Sequence, residues 1–525
     1  MQNRLAKLLL QLGVAAVMLA ALPYKVFELD RYFVPKELVL HVVAIVFALV
    51  LIIPRRTIRI DIVDGLLAFF LVWSAASALF ATNHWLAQRA LGLSVSSALV
   101  FWGARRIAGA GGYKELLVAA AFATVVASLT CLTQAYGLES DYFSQNRAPG
   151  GTFGNRNFVA HIAAIGLPAL MWCTVTAKRP LGALTGSLGA ATVGATLVLS
   201  RSRAAWLAVV TSVIVLVIPL LLSRKYWDRE VVGGRFARIL LSMFIAGTLA
   251  TILPNNLNWK SDSPYLDSAK GMVNYKEGSG RGRIAQYRNT LKMAKANPVF
   301  GVGPGNWPVR YTRFAPGGDP SISDEGMTAN PWPSSDWVAF VSERGFVAAA
   351  ALALAFAMLF FTGLTRWHHI ATGEGVLLRL VMAATIVATT VVSAFDAVLL
   401  LAAPALIVWT ILGASVGARQ NGREVNLSSR AWNVAAIATL LIVFAAEVRS
   451  ATQTMAMSAV GLGGKTAGWV EGAKWDPGSY RINLKVAQLY ARRGKCVTAR
   501  PYAQRASHLF PNAPAAKRIG RQCSR

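Results

Sequence analysis

The chain is short of cysteine, acid and histidine. Four cysteines in 525 residues are too few for a disulfide framework. Cys131 and Cys173 fall inside apolar runs, where a small apolar role is expected. Cys496 and Cys523 share the C-terminal segment, and an oxidising compartment would permit one bond between them; the sequence leaves that pairing open. Aspartate and glutamate number 24 against 53 lysines and arginines, with 6 histidines. No HExxH, no paired CxxC and no histidine cluster at ligand spacing occurs, so no metal is expected. A GxSxG elbow is also missing. Gly301-Val302-Gly303-Pro304-Gly305-Asn306-Trp307 lacks the Lys-Ser/Thr of a P-loop, and the pattern predicts neither a strand before it nor a helix opening at its end. It reads as a rigid turn where backbone approaches something closely.

What the chain has is apolar length. It is 55% hydrophobic and 15% charged, with mean hydropathy +0.46, values that exclude an ordinary soluble protein. Stretches long enough to span a bilayer fall near 5–23, 37–54, 62–80, 88–104, 115–136, 157–176, 181–199, 203–222, 236–254, 336–363, 375–394, 397–416 and 431–450. The expected fold is therefore an all-α polytopic membrane protein of 12–13 transmembrane helices. The first run lacks a clear small-residue cleavage site and reads as a retained helix. The net charge of +29 is scattered through short loops rather than gathered on one face, which argues against nucleic acid and for anionic membrane lipids.

Orientation follows from basic residues in short loops. With the N-terminus inside, inner loops carry Arg55, Arg56 and Arg59, then Arg105, Arg106 and Lys114, then Lys178 and Arg179, then Arg224, Lys225, Arg229 and Arg235, then Arg366, and finally Arg419, Arg423 and Arg430. The organisation read from this is 1–254 as N-terminal membrane helices, 255–335 as a large outer loop, 336–450 as C-terminal membrane helices and 451–525 as an outer tail.

Two arginine motifs lie on the outer side. Ser200-Arg201-Ser202-Arg203 breaks two apolar helices, and Gly280-Arg281-Gly282-Arg283 opens an amphipathic stretch in the long loop. Arginine beside a low-dielectric body is costly unless an anion meets it, and its planar fork suits diphosphate oxygens. Ile284, Tyr287, Leu291 and Ala294 give that stretch a helical period, with Arg288 on its surface and Asn297-Pro298 ending it. Gly150-Gly151-Thr152-Phe153-Gly154-Asn155-Arg156 is either a turn with an Asn cap or a glycine-lined approach to a ligand, with Arg156 as an anion contact. His161 is either a buried structural group or a proton acceptor. Asp396 and Glu447 are acids at membrane depth, and Asp396, in a tight turn, is either functional or simply solvated.

In order and spacing, these motifs resemble the O-antigen ligase and polymerase superfamily. The likeness covers roughly residues 60–415: Gly151-Thr152-Phe153-Gly154-Asn155, Ser200-Arg201-Ser202-Arg203, Gly282-Arg283 with Arg288, Asn297 to Asn306, and Asp336-Trp337 with Glu343-Arg344-Gly345. It implies a GT-C-like fold in the inner membrane, with no metal or cofactor. The implied partners are an undecaprenyl-diphosphate-linked glycan donor, an acceptor that is a lipid-linked repeat or a lipid A core, and a chain-length regulator. By motif match Arg203 and Arg283 grip the diphosphate on the periplasmic face, with Arg201 and Arg281 as neighbours. Ligases of the superfamily carry a histidine just before the Asp-Trp motif; here Ser334 stands at that point. A polymerase branch without that histidine, an altered activity, or another base such as Glu343 or Asp336 would account for it. Asp336 is the favoured base, being adjacent in sequence and at the membrane boundary where desolvation raises a carboxyl pKa, and it reads equally as a helix N-cap. The segment Val486 to Pro511 resembles a tetratricopeptide repeat, about one to one and a half units where about three make a free-standing array, so a docked tail or a plain capping pair is expected. A lipid-linked oligosaccharide transporter remains the alternative, although no internal repeat is visible.

Overall fold

The computed structural model describes residues 2–52, 57–271, 278–323, 325–365, 372–418, 422–426 and 428–523. Nine helices come first: α1 (Gln2–Leu19), α2 (Asp30–Ile52), α3 (Ile62–Ala78), α4 (His84–Ile107), α5 (Tyr113–Ala135), α6 (Arg156–Val175), α7 (Pro180–Ser200), α8 (Arg203–Ser223) and α9 (Arg229–Ile252). The long loop holds α10 (Pro264–Lys270), α11 (Gly278–Ala296) and α12 (Trp307–Tyr311). Then follow α13 (Asp336–Leu364), α14 (Gly373–Phe395), α15 (Ala402–Gly417) and α16 (Ser429–Gly463), and the tail adds α17 (Lys465–Trp475), α18 (Tyr480–Ala491), α19 (Cys496–Leu509) and α20 (Pro514–Gln522).

Among the described residues nine segments are long and apolar enough to cross a membrane. The protein is an all-α multi-pass membrane protein. Helices occupy all thirteen expected stretches, but three details differ from the sequence reading. α4 and α5 run together through a π turn, with Gly111 at φ 89°, as one segment of 52 residues. α3 and α15 are only 17 and 16 residues long, so they reach across the hydrocarbon less fully than their neighbours. α1 begins on Gln2, Asn3 and Arg4 and is too polar to stand among the nine.

The loops sort into two ends. At one end β1 (Thr57–Ile60) pairs antiparallel with β2 (Arg423–Asn426), and Arg59 meets Glu424 at 2.8 Å. There too Lys114 meets Glu374 at 2.6 Å, and Arg235 donates to the carbonyls of Val175 and Ala177. These are loops that the basic-residue count put on one side, although Arg55, Arg56, Arg366 and Arg419 lie outside the described residues. Both arginine motifs, α10 to α12 and the tail lie at the other end, called the arginine end below.

Two features tie that end to the bundle. α13 is kinked at Gly345, which takes φ 82°; a Cβ there would lie 2.0 Å from the Val299 carbonyl oxygen, so only glycine lets the 298–301 loop press on the helix. α16 runs 35 residues, so the tail boundary expected at 450 falls inside it; Gly464 is where the helix ends. The tail then folds back. Tyr480, Leu484, Ala506, Phe510 and Ala516 close an apolar cluster on Val309 of α12, while Asp476 pairs with Arg449 of α16 at 3.0 Å in a buried contact. Cys496 and Cys523 are bonded, clasping α19 to the end of α20.

Candidate functional site

The site begins at the break between α7 and α8. Arg201 caps α7 in the left-handed region at φ 53°, ψ 28°, a conformation that costs a non-glycine residue roughly 1–2 kcal/mol. Its Nε donates to Ser268 Oγ at 2.9 Å, and its guanidinium lies 4.6 Å from the centroid of the Trp259 ring. Arg156, the first residue of α6, lies 5.0 Å from the same ring. One indole therefore gathers two cations from separate helices, an arrangement worth about 0.5–2 kcal/mol per contact. Arg147 adds a third positive neighbour. Burial pulls the Arg201 guanidinium below its ordinary value, with the nearby Tyr265 and Asp267 opposing. Arg203 opens α8 and donates from Nη1 to the Gly271 carbonyl at 2.6 Å.

The 150–156 loop resolves to the turn and cap. The Asn155 side chain accepts from Asn157 N at 3.0 Å, and Gln134 Oε1 accepts from the amides of Gly150 and Gly151 at 2.8 Å. A Cβ on Gly151 would meet Thr130 Oγ1 at 2.3 Å, and one on Gly154 would meet the Tyr32 ring at 2.2 Å. Those glycines thus press on protein rather than line an approach for a ligand. Arg156 alone of that loop stays in reach of the arginine group.

The second motif lies on α11. Arg281 and Arg288 are exposed and make no hydrogen bond or ion pair among the described residues, whereas Arg283 is half-buried. Its charge reaches His161, as does that of Asp396. His161 is buried in α6, edge-on to Phe158 at 6.3 Å, and neither ring nitrogen has a partner among the described residues. α11 also latches the 334 segment: Ser334 N donates to Gln286 Oε1 at 2.7 Å, and Tyr287 OH donates to the carbonyls of Ser334 and Ala394. Trp332 packs edge-on against Phe33 at 5.1 Å and Phe158 at 6.3 Å.

Asp336 is fully buried, and its carboxylate accepts from Val398 N at 2.9 Å, Leu399 N at 2.7 Å and Leu400 N at 3.4 Å. Its lone pairs are thus committed to the turn between α14 and α15. It does not cap its own helix; Ser335 does that, accepting from Val338 N at 3.4 Å. Glu343 is similarly engaged by the amides of Gly305 and Trp307 at 2.8 and 3.2 Å. Asp396 is buried, not solvated, and accepts from Ala397 N at 3.0 Å. The Gly301–Trp307 turn does open a helix, the five-residue α12, because Pro308 presets its first turn.

The two arginine groups share α6. Arg156 and His161 are five residues apart, about 7.5 Å along the axis, so the ring of Trp259 with its two arginines and the His161 side chain that feels the Arg283 charge both lie in the first third of one helix. Sequence reasoning missed Trp259; its only signal was a lone indole in the polar segment Asn258-Trp259-Lys260.

Fold and site together define a multi-pass membrane protein with a cationic group at one end of its bundle. Residues 188–353 match the family model described as O-antigen ligase, which places that stretch in the O-antigen ligase and polymerase superfamily. The match supports an O-antigen ligase-type role in surface polysaccharide biosynthesis, and that family implies a lipid-linked glycan and an acceptor in the membrane as substrates. No curated protein matches the chain.

Proposed function

We propose that the protein is a metal-independent glycosyltransferase of the inner membrane that polymerises or transfers an undecaprenyl-diphosphate-linked glycan on the periplasmic face. The observation that carries this is the gathering of Arg156 and Arg201 on Trp259 beside Arg203, at the same end as Arg283. An acceptor hydroxyl attacks the sugar carbon bound to the donor diphosphate; the new C–O bond forms as the bond to the diphosphate breaks. Negative charge grows on the departing diphosphate, where Arg203 and Arg283, with Arg201, Arg281 and Arg288 around them, stabilise it. The hydroxyl proton passes to a base. Asp336 holds its carboxylate on three amides, so the base assigned here is His161, whose ring nitrogens have no partner among the described residues and which feels the charges of Asp396 and Arg283. Ser334 contributes its pinned backbone to the wall of the site.

The test is purified protein with a lipid-linked glycan. Ladders growing on the donor lipid mean polymerase, and transfer to a lipid A core means ligase. His161→Gln is expected to lower the rate about 100-fold or more while donor binding stays within a factor of two. Unchanged turnover in that variant removes His161 from the chemistry.

A further inference from the structure

A cavity lies beyond the far end of α11. The loop 297–302, the stretch from Arg310 to Phe314 and Phe80 just beyond α3 border an open cavity of about 380 Å³, within the size range of small-molecule sites. Phe80, Phe300 and Phe314 line it together with Arg310 and Arg313. Three rings form a continuous ladder at its edge: Trp73 stacks on Phe300 at 5.0 Å and 18°, and Phe300 on Phe80 at 4.8 Å and 20°. Trp73 is fixed by donating its Nε1 to the Val299 carbonyl at 3.0 Å. The side chains of Arg310 and Arg313, three residues apart, make no hydrogen bond or ion pair among the described residues. The outward face of α3 below the cavity is apolar, with Phe69, Val72 and Leu79 exposed.

Each part selects chemistry. Two arginines without an acid ask for an anion that two forks can hold. The open outer face of Phe80, backed by Phe300, suits the C–H face of a pyranose. The exposed apolar helix beneath suits the acyl chains of a lipid that delivers the sugar. Arg283 precedes Asn297 by fourteen residues, about 21 Å along α11 and its exit at 1.5 Å per residue. That span separates this cavity from the diphosphate arginines by more than one sugar ring.

We propose that this cavity binds the anionic sugar headgroup of the acceptor, a phosphorylated or carboxylated saccharide, while the donor occupies the Arg203 and Arg283 end. The naming of this ligand as acceptor rests on the function proposed above; the affinity for an anionic sugar does not. Full-length protein in nanodiscs is titrated with three probes: a phosphorylated disaccharide, the same disaccharide without phosphate, and the phosphorylated disaccharide carrying acyl chains. Undecaprenyl diphosphate is titrated alongside. The double variant R310A/R313A is expected to weaken both phosphorylated probes about 10-fold or more, to leave the neutral probe within a factor of two, and to leave undecaprenyl diphosphate unaffected. Phe300→Ala is expected to weaken all three sugar probes. Tighter binding of the acylated probe assigns the natural ligand to a glycolipid, and equal binding assigns it to the free headgroup. Equal losses for neutral and phosphorylated probes, or no loss for any, overturn the proposal. Loss of undecaprenyl diphosphate binding in R310A/R313A overturns it too, because the cavity would then hold a lipid diphosphate rather than an anionic sugar. If Arg203→Ala keeps full donor affinity while R310A/R313A loses the phosphorylated sugar, the donor assignment fails and this site stands.

Discussion

The two ends of the helical bundle hold their cations in different ways. At the β1–β2 end several basic groups have a carboxylate: Arg59 has Glu424, Lys114 has Glu374, and Arg105 has Asp61 at 3.0 Å and Asp64 beside it, while Arg235 rests on carbonyls. At the arginine end Arg89 and Arg449 likewise have carboxylates, but Arg156 and Arg201 are steadied by an indole, Arg201 also by a hydroxyl, and Arg310 and Arg313 line an open cavity. A carboxylate neutralises a cation and ends its appetite for other anions. An aromatic face or a carbonyl positions the cation and leaves its charge to be met by a ligand. The first arrangement holds loops together; the second keeps a binding capacity.

That contrast can be broken from either side. Arg203→Ala should lower glycan transfer about 100-fold or more, as loss of one preorganised cation at a leaving group does, while Arg59→Ala, half-exposed in its pair, should leave transfer unchanged and cost about 0–1 kcal/mol of stability. Both variants should insert normally; the readout is product per unit of membrane-embedded protein. If Arg59→Ala costs as much transfer as Arg203→Ala, the two ends are not functionally distinct. Trp259→Ala removes no charge but unstacks Arg156 and Arg201, so a drop in donor affinity of about 10-fold is expected, seen as faster release of the donor. No change would mean that the indole is only filler.

The Arg449–Asp476 pair tests the boundary of the rule, because it is an acid-matched cation at the arginine end. Both side chains are buried, and Arg449 also lies 5.1 Å from the Trp85 ring. Arg449→Ala should loosen the tail by roughly 3–5 kcal/mol, since it strands Asp476 without a partner. Protease cleavage between Gly463 and Tyr480 is the measurement. Catalysis by the remaining bundle should fall less than the tail's protection does. An equal fall would make the tail part of the site.

Much of this was legible in the chain. Apolar length marked the helices, because a bilayer imposes one scale on every span. Basic loops sorted the ends, and the period of Ile284, Tyr287 and Leu291 marked α11 before its coordinates did. The departures share one cause: long-range contact. Nothing near Asp336 in sequence announces that its carboxylate is taken by the amides of residues 398–400, sixty residues on. Nothing near Trp259 announces that it receives arginines from α6 and from the α7–α8 break. The glycines at 151 and 154 carried the signal of a close approach, but not of what approaches, which proves to be Thr130 and Tyr32.

The 35 residues of α16 carry a mechanical consequence. At 1.5 Å per residue the helix is about 52 Å long, whereas the hydrocarbon layer is about 30 Å thick. Roughly 20 Å of it therefore stands clear of the lipid as a mast, and α17 folds back against it. A mast transmits rotation. One residue inserted into its free portion would swing everything beyond by about 100°, carrying Asp476 away from Arg449 and the α18–α20 cluster away from Val309, so the tail's berth on the loop is set by the phase of a helix as much as by the chemistry of its contacts.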